Sequence, residues 1–193
     1  GNKDYTAALT IMLSALQLIS LPLNGLGYGL QPFVSYNYGK GNAQRLKTGI
    51  KYVTVIAFIF ALAIWSVSLA LPQMYAYMFS ASDSVNEIVQ AYTPLFLMGS
   101  IMFFVQMTLQ NINVALGQAK SALLLAVMRK VIILIPLCFC LTHFMGFKGV
   151  YLSEGIADFV AGIITTVVIF ITFPKVFKRR EELVKERINS QKI

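Results

Sequence analysis

Apolar residues run through this chain in five long blocks, at about 7–34, 50–71, 92–116, 121–144 and 150–173, separated by short polar connections. About 20 mostly apolar residues, each rising 1.5 Å along a helix, are enough to cross a bilayer core of roughly 30 Å. Every block meets that length. The pattern predicts five transmembrane helices and an all-α membrane protein.

The connections sort by charge. The first carries Lys40, Arg45, Lys47 and Lys51, the third carries Lys120, and the segment after Phe173 carries Lys175, Lys178, Arg179, Arg180, Lys185, Arg187 and Lys192. The second, 72–91, has no Lys or Arg but holds Asp83 and Glu87, and the fourth has only Lys148. Because Lys and Arg collect on the cytoplasmic side, 174–193 reads as a basic cytoplasmic tail. An odd number of spans then puts the N-terminus outside.

Composition agrees: 57% of residues are hydrophobic, 12% are charged, and the mean hydropathy is +0.69. The formal net charge of +8 is confined to loops and tail, so it marks topology and contact with anionic lipid rather than nucleic acid. The first block is too long for a signal peptide and lacks a basic leader and a small-residue cleavage site. Gly1 in place of Met, an outside N-terminus and an odd span count together suggest a piece whose upstream helices are missing.

Within the spans, Gly25 and Gly29 have the small-xxx-small spacing that lets helices approach closely. The second span is featureless apart from Trp65, Ser66 and Ser68, and reads as scaffold or lipid-facing. Ser82, Asp83 and Ser84 can cap the third helix, and Pro94 sits early in it. Cys138 and Cys140 point to different faces of one helix, so they cannot bridge each other.

Polar side chains inside the spans must each find a partner or a water-filled cavity. Gln17, Asn24, Tyr28 and Gln31 share one face of the first helix, and Gln106, Gln110 and Asn113 form a stripe on the third, with Asn111 pointing elsewhere. Such stripes serve either as interhelical hydrogen bonds, worth under about 2 kcal/mol each, or as walls of one aqueous chamber.

Glu154 and Asp158 are four residues apart, on one face of the last helix. Helical rise puts Asp158 about 12 Å below Val150, near mid-membrane, where a lone charged Asp costs about 3 kcal/mol. Two carboxylates about 6 Å apart repel by nearly 3 kcal/mol at an effective dielectric near 20. A proton held by one of them, or a cation shared by both, relieves that repulsion. The competing reading is a salt bridge from Arg129 on the fourth helix to Asp158, with Glu154 left on the exposed rim and Lys130 snorkelling inward. No metal-ligand cluster or catalytic constellation stands out, so neither a bound metal, a cofactor nor an enzyme is expected.

The segment Gly29-Leu30-Gln31-Pro32-Phe33-Val34-Ser35-Tyr36-Asn37-Tyr38-Gly39-Lys40, followed by Arg45, resembles the second helix of the C-terminal half of the multidrug and toxic compound extrusion (MATE) transporters. Leu116-Gly117-Gln118-Ala119-Lys120-Ser121, Met128-Arg129-Lys130, Ile135-Pro136 and Gly146-Phe147-Lys148-Gly149-Val150, leading into Ala157-Asp158, are similar in order and spacing. The resemblance implies a twelve-helix transporter of two six-helix bundles facing a central cavity. This chain would supply helices eight to twelve, most of the C-terminal bundle, and the missing N-terminal bundle would be its partner.

By that resemblance the function is cation-coupled antiport, with Na+ or H+ flowing inward to drive export of small organic compounds, cationic ones among them, across a bacterial cytoplasmic membrane. The family pattern matches Gln31, Asn37 and Arg129, and Asp158 matches its acidic position in the last helix. Gln31, Asn37, Gln106, Gln110, Asn113, Glu154 and Asp158 are the candidates for the substrate and cation pathway, with Arg129 and Asp158 as a structural ion pair. The rival reading is a lipid-linked oligosaccharide flippase of the same superfamily, which needs cations to hold a pyrophosphate.

Overall fold

A computed structural model describes residues 2–190, and it is helical throughout with no strand among them. Gly1 and Lys192 lie outside the described residues. Helix α1 is Asn2–Gly39, α2 is Ala43–Ala70, α3 is the short Gln73–Met78 and α4 is Asp83–Phe96. A 3-10 turn at Ser100–Met102 and a π-helical stretch at Phe104–Leu109 lead into α5, Gln110–Ala115. Helix α6, Ala119–Val127, runs through a second π stretch, Met128–Leu134, into α7, Ile135–Met145, and α8 is Phe147–Ser190.

Four continuous helices are long and apolar enough to cross a membrane: Lys3–Gly39, Ala43–Ala70, Ala119–Met145 and Phe147–Arg187. The pair Asp83–Phe96 and Ser100–Ala115 meets the same length and apolarity together, bent by 53°, and counted as one crossing it brings the number to five. The third span thus starts before residue 92 and is broken, where the sequence pattern suggested one helix. Nor does α8 stop at the end of its apolar block: it continues through Pro174 to Ser190.

The break is repaired by side chains around it. Pro94 removes the backbone donor that the Gln90 carbonyl would receive, and past Phe96 the coil tightens so that the Leu97 carbonyl takes a short bond from the Ser100 N–H at 3.0 Å. Trp65 of α2 donates its indole Nε1–H to that carbonyl at 3.2 Å, and the Ser100 hydroxyl donates to it at 2.8 Å. In a lipid environment an unsatisfied carbonyl costs several kcal/mol, so a broken span needs such donors. Trp65 is therefore the partner of the break rather than a lipid-facing residue.

The break also lets two backbones touch. A Cβ on Gly99 would lie 2.2 Å from the Gly155 carbonyl oxygen, and one on Gly155 would lie 2.2 Å from the Leu95 carbonyl oxygen. These are the small residues that allow close helix approach. The expected pair, Gly25 and Gly29, has nothing within 4 Å; on α1 it is Gly27 that packs closely, against Asn111. The expected small-xxx-small contact of Gly25 and Gly29 is therefore absent among the described residues, because α1 turns the Gly27 face to its neighbour.

Apolar packing forms two clusters along the bundle. Met12, Ile19 and Leu23 of α1 meet Ala57, Ala61, Phe96 and Tyr151 in one. Val34, Leu46, Ile50, Ile112, Ile169 and Phe173 form the other. Beside the second cluster, α1 and α2 are joined by a tight turn with Gly41 at φ +71°, a left-handed conformation glycine adopts without penalty. The Asn42 side chain then caps α2 by accepting from the Arg45 N–H at 3.1 Å.

The end of α1 has no basic residue in its last turn, yet its carbonyls are satisfied from elsewhere. Arg180, on the extension of α8, donates from Nε to the Tyr38 carbonyl at 2.9 Å and from Nη2 to the Gly39 carbonyl at 2.6 Å. Its guanidinium also lies 5.5 Å from the Tyr38 ring centroid. A cation at a helix C-terminus opposes the negative end of the dipole and fills orphan acceptors.

Candidate functional site

The fourth span is regular until it meets Pro136. That residue has no N–H to give and crowds the carbonyl four positions back, Ile132. The backbone upstream widens into the π stretch Met128–Leu134, a feature often found at functional positions. Arg129 and Lys130 sit in this wider coil, where successive side chains diverge less than in an α-helix. Both reach α8.

Arg129 places Nη2 at 2.6 Å and Nε at 2.7 Å from the same oxygen, Oδ1 of Asp158. Asp158 is 1% exposed, and its other oxygen, Oδ2, is buried without a hydrogen-bond partner among the described residues. The Arg129 guanidinium stacks 5.1 Å from the Phe103 ring centroid. One turn away along α8, Lys130 Nζ meets Glu154 Oε1 at 2.7 Å. Glu154 is thus a buried, paired residue rather than a free rim carboxylate, and Lys130 reaches toward it instead of snorkelling inward.

The two cations form one end of a groove of about 230 Å³ between α1, the bent third span and the fourth span. Asn24, Gln106, Met107, Gln110, Asn111 and Val114 line it on one side and Ala122, Ala126, Arg129 and Lys130 on the other. Gln106 donates to the backbone carbonyl of Asp158 at 2.7 Å, and Gln110 donates to the Ala122 carbonyl at 2.7 Å. Asn111 donates to Asn24 Oδ1 at 3.1 Å and to the Met107 carbonyl at 2.6 Å. Gln31 lies just beyond, its amide 3.4 Å from the Asn111 carbonyl.

The structure therefore brings Gln106, Gln110, Arg129, Asp158 and Glu154 to one place, with Gln31 at its edge. Asn37 and Asn113 lie elsewhere. Asn37 is buried at the end of α1, donating to the Phe33 carbonyl at 2.8 Å. Asn113 is fully buried with both amide atoms unpartnered among the described residues, and it does not line the groove. Asn111, read as pointing elsewhere, takes the groove position instead. Both residues lie in the regular helix α5, and the wall is the face holding Met107, Gln110, Asn111 and Val114, so helical spacing turns Asn113 to its edge.

Cys138 and Cys140 are free thiols. Among the described residues no group of three or more His, Cys, Asp or Glu side chains is placed to hold a metal.

A polar groove backed by a buried, half-satisfied carboxylate, in a bundle of five apolar spans one of which is broken, is the setting for the comparisons with known proteins. The MatE family model matches residues 2–140. The chain belongs to the MATE family. Among curated relatives, the multidrug export protein MepA of Staphylococcus haemolyticus (strain JCSC1435) is 29% identical over 169 residues, which is 85% of this chain and 36% of that protein. Among solved structures, the MATE multidrug transporter DinF-BH is 26% identical, with a TM-score of 0.79 over 92% of this chain and 40% of that one. A MATE structure in the bent conformation has a TM-score of 0.85 at 19% identity, covering 93% of this chain and 40% of that one.

The MATE chain described here thus spans little more than a third of the curated relative's length. It has the all-α membrane architecture of the family, and it is a multi-pass membrane protein of a transporter family.

Proposed function

We propose that this chain forms helices eight to twelve of a cation-coupled multidrug exporter, working with an N-terminal bundle as its partner. In this reading the exporter is an antiporter rather than an enzyme. Inward movement of Na+ or H+ drives small organic compounds out across a bacterial cytoplasmic membrane, and the C-terminus is cytoplasmic. Family membership and the likeness to MepA, itself a multidrug export protein, support the substrate class.

The observation that carries the reading is Asp158. A carboxylate near mid-bilayer is expensive, and here Arg129 neutralises it through one oxygen while Oδ2 keeps its acceptor capacity. Such a group can exchange its partner for a proton or a cation when the bundle rearranges, and Gln106 and Arg129 connect it directly to the groove wall. The groove's amides offer neutral hydrogen bonding to varied organic molecules, which suits a tolerant exporter.

A flippase would need spare positive charge to hold a pyrophosphate. Both cations lining this groove are already engaged by carboxylates, which favours the exporter. The test is dye efflux from cells expressing the intact gene product, with and without Asp158→Asn, under imposed Na+ and H+ gradients. Loss of gradient-driven efflux supports the assignment, and unchanged efflux removes Asp158 from coupling.

A further inference from the structure

A second groove, distinct from the polar one, lies between α2 and α8. It has a volume of about 640 Å³ and is floored by Phe104 and Val105. Its walls are almost wholly carbon: Val55 comes from α2, and Phe170 and Phe173 from α8. Thr54 also borders it, but its hydroxyl is already spent on the Ile50 carbonyl at 2.7 Å. Val55 is 47% exposed and Phe170 76% exposed, so the groove opens sideways, toward the surroundings of the bundle rather than toward its interior.

Only one end of this groove is charged. Lys47 and Lys51 border it there, one helical turn apart on the same face of α2. Both are exposed, and among the described residues neither is in an ion pair, the cations that are paired being Arg129 and Lys130. Glu181, on the extension of α8, faces a different and much smaller cavity beside Arg180. From Lys47 to Val55 is eight residues, about 12 Å of helix. One leaflet of a bilayer core is about 15 Å deep. A cationic mouth at the polar boundary followed by an apolar channel of one leaflet's depth is a shape that few ligands match.

We propose that this groove binds a single anionic phospholipid, with its phosphate on Lys47 and Lys51 and an acyl chain lying along Val55, Phe104, Phe170 and Phe173. Bulk lipid wets any apolar helix face, but a concave track with two unpaired lysines at its head selects for charge as well as for a chain. Basic pockets between transmembrane helices bind anionic headgroups on this principle. The site is separate from the groove assigned to transport and does not depend on that assignment.

Native mass spectrometry of the intact gene product in neutral detergent tests this, with phosphatidylglycerol and phosphatidylcholine of identical acyl chains as probes. The expected result is one retained phosphatidylglycerol, preferred about thirtyfold, since each lysine contributes roughly fivefold at an anionic surface. The preference should fall to near parity in Lys47→Gln/Lys51→Gln, and Val55→Trp should abolish retention of both lipids. Glycerol 3-phosphate, the headgroup without chains, should not compete.

Unchanged preference in the double lysine variant overturns the proposal, as does competition by glycerol 3-phosphate. Absence of any retained lipid in the wild type, the result if another helix of the intact protein fills the groove, overturns it too. Both lysines are solvent-facing, so the lysine variant keeps its fold and decides the question even where Val55→Trp does not.

Discussion

Arg129 gives two nitrogens to one oxygen of Asp158 and none to the other. The pair is neutral as a whole but lopsided, and the stability it confers depends on both members being present. Removing one partner of a buried pair leaves an uncompensated charge and costs about 3–5 kcal/mol, whereas replacing both with apolar residues of similar size is often neutral or stabilising. Arg129→Met alone should therefore lower the thermal unfolding midpoint in detergent sharply, and Arg129→Met/Asp158→Leu should restore most of it. Equal destabilisation by the single and double variants would contradict this account.

Lys130 and Glu154 make the instructive contrast. The Lys130 side chain is 54% exposed and that of Glu154 11%, so much of the attraction is screened. Lys130→Gln should cost no more than about 1 kcal/mol, read in the same unfolding assay. A loss as large as that of Arg129→Met would mean that the two pairs act as one network.

Trp65 should matter more than an aromatic on a lipid-facing helix. Trp65→Phe keeps the ring and removes the donor to the Leu97 carbonyl. Its expected cost is about 1 kcal/mol, the scale of hydrogen bonds between membrane helices. Hydrogen exchange at Ser100 and its neighbours should quicken, and unchanged protection there would remove Trp65 from the break.

Glycines on different helices should respond oppositely to the same added methyl. Gly155→Ala forces a Cβ into the Leu95 carbonyl and should destabilise by about 1–3 kcal/mol, the usual range for overpacking. Gly25→Ala meets open space in this chain and should be neutral or gain up to about 1 kcal/mol of helix propensity. Comparing the two melting points checks the assignment of which glycines hold backbones together.

The five spans, their order and the all-α class were legible from apolar block length alone, because lipid imposes that length on every crossing. The Arg129 to Asp158 contact was legible too, from counting helical rise inward from the two ends of their spans. What could not be read were features set by helix rotation and by departures from the ideal helix. Asn111 replaces Asn113 at the groove because the third span turns its Met107, Gln110, Asn111 and Val114 face inward, and a stripe of polar residues alone does not reveal that rotation. Lys130 reaches Glu154 because Pro136 loosens the coil behind it. Trp65 looked inert because its partner is a backbone carbonyl, and a carbonyl becomes available only after the third span breaks. Arg180 was counted among the tail's charges, but its partners are the last carbonyls of a helix some 140 positions earlier.

That last contact has a mechanical consequence. Forty-four residues of α8 span about 66 Å at 1.5 Å each, roughly twice the thickness of the oily layer it crosses. At Arg180, ten residues short of its end, it is pinned to the corner where α1 turns into α2, like a strut bolted to a hinge plate. A strut cannot shorten, so tilting its upper end must swing that corner or shear off the Arg180 bolt.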